Sequence, residues 1–68
     1  MTTKKVIELL AESPDSWEAA AQQALKDAQK SLRGIASIYI KEMEAKVEGD
    51  RITQYRINAK VTFEVEGT

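Results

Sequence analysis

The sequence predicts an α+β fold of order strand, helix, strand, strand, in which three strands form one antiparallel sheet with a helix across it. Three observations predict it. The run "ITQYRINAKVTFEVE" (Ile52–Glu66) is apolar on every second residue. Upstream, "SPDSWEAA" introduces a segment whose apolar residues recur at helical spacing. Between them, Ile35 to about Val47 alternates again and is joined to the last run by "EGDR" (Glu48–Arg51), a hairpin turn.

The first strand is read at Lys4–Ala11 ("KKVIELLA"), short and charged at its start. Ser13 is expected to cap the helix, with Pro14 at its first position and Asp15 near the positive end of the helix dipole; Asp15 or Ser16 are the alternative caps. On a helical wheel Trp17, Ala20, Ala21, Ala24, Leu25, Ala28 and Leu32 share a sector roughly 140° wide, right for a helix lying on a sheet. Ser31 is the only polar residue inside that sector, and its alanines allow close approach to the strands. Gly34 is expected to stop the helix. Trp17, the chain's one tryptophan, reads as a packing anchor.

The second strand changes phase midway. Ile38 and Ile40 share one phase, whereas Met43, Ala45 and Val47 share the other, so a β-bulge is expected near Lys41–Glu42. In the last strand Tyr55, Ile57, Ala59, Val61, Phe63 and Val65 make one face. Gln54, Arg56, Asn58, Lys60, Thr62 and Glu64 make the other. A single helix covers only one face of such a sheet, which leaves the second face and a strand edge to solvent or to neighbours.

With 68 residues the chain is one domain, 1–68, near the lower limit for folding alone. Cysteine and histidine are both absent, which excludes disulfides, thiolate metal sites, cysteine nucleophiles, imidazole shuttles and histidine triads. Oligomerisation is the remaining way to reinforce so small a core. A net charge of −1, from 31% charged residues of both signs, gives no polycation footprint for nucleic acid. No apolar run is long enough for a membrane span or a signal peptide, so the expected location is the cytoplasm. The serines lack a base partner and the three glycines stand alone at 34, 49 and 67, so no enzymatic machinery is read. Acidic residues gather at Glu42, Glu44, Glu48 and Asp50, oxygens of the kind a hard cation takes, though without EF-hand spacing. Symmetry-related copies of one carboxylate could complete such a site; Glu42, Glu44 and Glu48 are the candidates, with Asp50 set back in the turn.

Taken together, "SPDSWEAAAQQAL", "SLRGI" and "YRINAKVTFEVE" resemble the dodecins, over about Lys5 to Val65. The resemblance implies a β-α-β-β protein whose long sheet partly wraps its own helix, assembled as a hollow homododecamer. It also implies a non-catalytic role in storing or sequestering a small ligand, commonly a flavin. By family position the ligand pocket falls on Ser37, Glu42 and Arg56. Flavin-binding members carry a tryptophan where this chain has Ser37, and a glutamine where it has Arg56. Serine offers no ring to stack on, a loss of roughly 1–3 kcal/mol, and arginine offers only donors. Members with Tyr-Arg-Ile and no tryptophan look more like this chain, and for them the implied ligand is calcium. The open alternatives are a cation, a flavin or another anionic cofactor, and a purely structural shell.

Overall fold

The computed structural model describes residues 3–65; residues 1–2 and 66–68, at the ends of the expected 1–68 domain and including Glu66 of the last alternating run, lie outside the described residues. The elements are β1 (Lys4–Ser13), α1 (Trp17–Ala28), β2 (Ile35–Glu48) and β3 (Arg51–Glu64). The three strands form one antiparallel sheet in the order β1-β3-β2, which puts the most regularly alternating strand at its centre.

Where β1 hands over to the helix, the expected cap moves. Ser16, one of the alternatives, is the N-cap: its backbone is extended, and its hydroxyl oxygen accepts from the Ala19 N–H at 3.0 Å. Ser13 stays in β1, paired with Tyr55 and buried, and its Oγ accepts from the Asp15 N–H at 3.0 Å. The residue before a proline is pushed toward extended backbone, so Ser13 closes a strand more readily than it opens a helix.

The helix also ends earlier than its apolar sector suggests. Gln29 is the C-cap, and Leu32 lies in the following turn, its N–H donating to the Ala28 carbonyl at 2.9 Å. Gly34, expected at the helix stop, opens β2 instead with φ +70°, and its carbonyl accepts from the Glu64 N–H at 3.0 Å. A residue with a side chain rarely adopts that φ, so the glycine is needed at the entry to the strand. At the hairpin, Gly49 has φ +67° between the paired Glu48 and Arg51, as a two-residue turn with glycine first requires.

The helix lies across β1 and β3 and barely touches β2. Ala20 and Ala24 on its inner face pack with Ile57 and Ala59 of the central strand, and Ala28 and Val61 are buried as well. Trp17, Ala21, Leu9, Ala11, Ile38 and Ile40 pack around the rim of this core. The core is thin: Ile57 and Val61 are the largest side chains that are fully buried. A 12-residue helix is about 18 Å long, whereas the molecule extends 52 Å along its sheet. The β2–β3 hairpin therefore runs well past its own helix, leaving Met43, Val47 and Ile52 exposed.

The expected bulge is present. Ile40 pairs with Ala59 and Glu42 with Asn58, which leaves Lys41 as the extra residue. Further irregularities lie between Ile35 and Ser37 and between Lys46 and Val47. The central bulge decides which side chains reach the open face. Before it, Ile38 and Ile40 lie on the helix side; without the extra residue Glu42 would continue their phase and point at the helix. After it, Met43 and Ala45 take the helix side, and Glu42 and Glu44 turn to the open face.

Candidate functional site

The face of the sheet turned away from the helix is ordered by register into rows. Val6, Thr62 and Ser37 form one; Glu8, Lys60 and Tyr39 the next; then Leu10, Asn58 and Glu42; then Glu12, Arg56 and Glu44. Leu10 is 70% exposed and Tyr39 63%, with Val6 also exposed. These large apolar side chains lie among charges on a surface that, among the described residues, no other element covers.

The last row holds the strongest polar contacts. Arg56 sits on the central strand with a carboxylate on each side. Its Nε donates to Glu12 Oε1 at 3.0 Å, with Nη2 2.9 Å from the same oxygen, and its Nη1 donates to Glu44 Oε1 at 3.3 Å. One guanidinium thus ties all three strands together. The negative charge of Glu12 foremost, then the hydrogen bonds that Arg56 donates to Glu44 and Glu12, raise the Arg56 pKa above its usual value, so the group stays cationic.

Beside this clamp lies a cavity of about 360 Å³ bounded by Leu10, Glu42, Met43, Glu44, Arg56, Ile57 and Asn58. That volume is at the small end of the range for ligand pockets, about 300–1,000 Å³. Asn58 stands in register with Glu42, and its Oδ1 is shut off from solvent without a hydrogen-bond partner. An unpaired buried acceptor costs about 1–3 kcal/mol, so a cation or a donor group brought to it would be stabilised there. Glu44 is also fastened from behind: the Trp17 indole N–H donates to its backbone carbonyl at 3.0 Å, and the same ring packs edge-on to Tyr55 at 4.8 Å.

Of the residues singled out in the sequence, Glu42, Glu44 and Arg56 line this one cavity. Ser37 does not. It pairs with Thr62, six positions along β3 from Arg56, about 20 Å at strand rise. One chain therefore holds Ser37 and Arg56 apart, too far for a single ring system to reach both. Glu48 stands at the hairpin tip, about 20 Å from Glu42 along β2, with Lys46 Nζ 4.0 Å from its carboxylate. Asp50 is in the turn itself. Among the described residues no three acidic side chains converge on one point. Sequence reasoning missed Glu12, Leu10 and Asn58 as site residues, all of which enter it through cross-strand register; the first strand, read as ending at Ala11, runs on to Ser13 and so carries Glu12, and its adjacent apolar pairs Val6-Ile7 and Leu9-Leu10 assign Leu10 to neither face.

The architecture and this open, ligand-sized face define a two-layer β-α-β-β protein whose candidate site is on its sheet surface. A family model described as Dodecin matches residues 3–66. The chain belongs to the dodecin family. It is 34% identical over 65 residues to the calcium dodecin of Mycobacterium tuberculosis, covering 96% of this chain and 92% of that protein. Among solved structures, a Thermus thermophilus protein superposes with a TM-score of 0.94 at 31% identity, over 100% of both chains. The calcium-chelating calcium dodecin of M. tuberculosis, described with a novel calcium-binding site, superposes with a TM-score of 0.82 at 33% identity, over 97% of this chain and 94% of that one.

Proposed function

We propose that this protein is a non-catalytic binding protein that assembles twelve copies into a hollow shell and sequesters a small ligand, calcium, on its open sheet face. The observation that carries the calcium reading is the register of Glu42 opposite Asn58 at the edge of one cavity, with Asn58 Oδ1 a buried acceptor lacking a partner among the described residues. Both are hard oxygen donors, the ligand type calcium takes. Calcium takes about six to eight oxygens, more than these two residues and Glu44 supply, so further copies and water complete the set in this reading. The name of the M. tuberculosis relative points the same way.

Assembly is supported by the exposed apolar residues on both sides of the sheet and by a helix too short to cover it. A flavin fits these residues poorly. Ser37 provides no ring, and the Arg56 donors at the other pocket position are already held by Glu12 and Glu44.

Thermal melting of the assembled protein tests the calcium reading. Millimolar calcium should raise the Tm, and chelator should reverse the rise, because a ligand bound only by the folded state stabilises it by mass action. Glu42→Gln and Asn58→Leu should each abolish the calcium response. Asn58→Leu should leave the metal-free Tm unchanged or higher, since it removes an unpaired buried acceptor. A wild-type Tm indifferent to calcium and chelator would remove the reading.

A further inference from the structure

Resting on that calcium reading, we propose that Arg56 is a built-in competitor for the cation: by holding Glu44 it sets the affinity of the site, and Glu12 sets how firmly it does so. The geometry is unequal. Arg56 makes two contacts to Glu12 at 2.9 and 3.0 Å and one to Glu44 at 3.3 Å. Its fork is anchored on β1 and leans on β2. Glu44 and Glu42 line the same cavity, two residues apart beyond the bulge. Glu44 is therefore the nearest additional carboxylate available to an ion held by Glu42 and Asn58.

Arg56 occupies only Oε1 of Glu44, so a cation that grips Glu44 with both carboxylate oxygens, as calcium often does, must displace the guanidinium from Oε1. Arg56 does not need to leave the site for this, because Glu12 still neutralises it and keeps its Nε hydrogen bond and Nη2 contact. Glu44 is the more exposed of the two carboxylates, 64% against 44%, so it is also freer to turn. The clamp thus has two states: Glu44 on Arg56 with the site empty, and Glu44 on the ion with Arg56 retained by Glu12. Cation affinity is the difference between them, and it falls as the hold of Arg56 on Glu44 tightens.

Two variants that conserve charge separate this from a plain field effect. Lysine is a point charge without a planar fork, so Arg56→Lys keeps the cation but cannot hold both carboxylates in this arrangement. Calorimetric titration of the assembled variant with calcium should show binding tighter than wild type by about tenfold. Shortening the anchor in Glu12→Asp draws the carboxylate back from Arg56 and shifts the guanidinium toward Glu44, so calcium should bind more weakly. Trp17 fluorescence supplies a second signal, because its indole N–H is bonded to the Glu44 backbone; calcium should shift the wild-type emission at the same midpoint that calorimetry gives.

If wild type binds calcium and neither Arg56→Lys nor Glu12→Asp moves the affinity in the stated direction, the competitor role is overturned and the calcium reading stands. If only Arg56→Gln tightens binding, the effect is one of charge and the clamp is again overturned. Should Arg56→Lys fail to assemble, Glu12→Asp decides alone. Absence of calcium binding by wild type and by every variant overturns both.

Discussion

Trp17 offers the sharpest test of how the helix is held to the sheet. Its ring is half-buried, sits edge-on to Tyr55 at 4.8 Å, and donates from Nε1 to the Glu44 carbonyl at 3.0 Å. Truncation of a fully buried aromatic costs about 3–5 kcal/mol. Because this ring keeps some exposure, Trp17→Ala is expected to cost less, about 2–3 kcal/mol. Trp17→Phe keeps an edge-on ring and loses the N–H, so it should cost about 1 kcal/mol, the typical net worth of one hydrogen bond. For a chain of this size each kcal/mol lowers the Tm by about 4–8 °C. The expected falls are therefore about 8–24 °C for Trp17→Ala and about 4–8 °C for Trp17→Phe. Scanning calorimetry at one fixed protein concentration measures both, since assembly makes the Tm depend on concentration. A Trp17→Phe Tm equal to wild type would mean that the bond to Glu44 contributes nothing, and an unchanged Trp17→Ala would overturn the anchoring role itself.

Two further outcomes follow from the open sheet. Native mass spectrometry in dilute buffer should show a dodecamer, and a spectrum dominated by the 7.6 kDa chain would refute the covering of the exposed face by other copies. Wild type should bind riboflavin weakly and quench its fluorescence little, whereas Ser37→Trp and Arg56→Gln together should tighten binding by at least about tenfold, and either change alone by less; tight, quenching binding by wild type would show that flavin recognition here uses other residues.

Much of this architecture was legible in local patterns. Alternation from Tyr55 to Val65 marked the strand whose Ile57, Ala59 and Val61 form the core, and the phase change between Ile40 and Met43 located the bulge at Lys41. The helical sector named Ala20, Ala24 and Ala28 as buried. It ran one turn too far, to Leu32, because periodicity does not register where the backbone stops being helical. The cap stayed open among Ser13, Asp15 and Ser16, since each is chemically suited to the role. Strand pairing resolved it by holding Ser13 in β1 opposite Tyr55.

What the sequence by itself determined is what neighbours along the chain dictate: the element order, the alternation of the second and last strands, and the absence of histidine and cysteine chemistry. Only the tertiary structure decided the site. It placed β3 between β1 and β2, and so set Arg56 between Glu12, 44 positions away, and Glu44, 12 positions away. It set Asn58, whose Oδ1 has no partner among the described residues, in register with Glu42, and it held Ser37 apart from both. The physical reason is register: which side chains meet across a sheet depends on how strands distant in sequence are aligned, and one extra residue, Lys41, turns Glu42 and Glu44 from the helix to the open face.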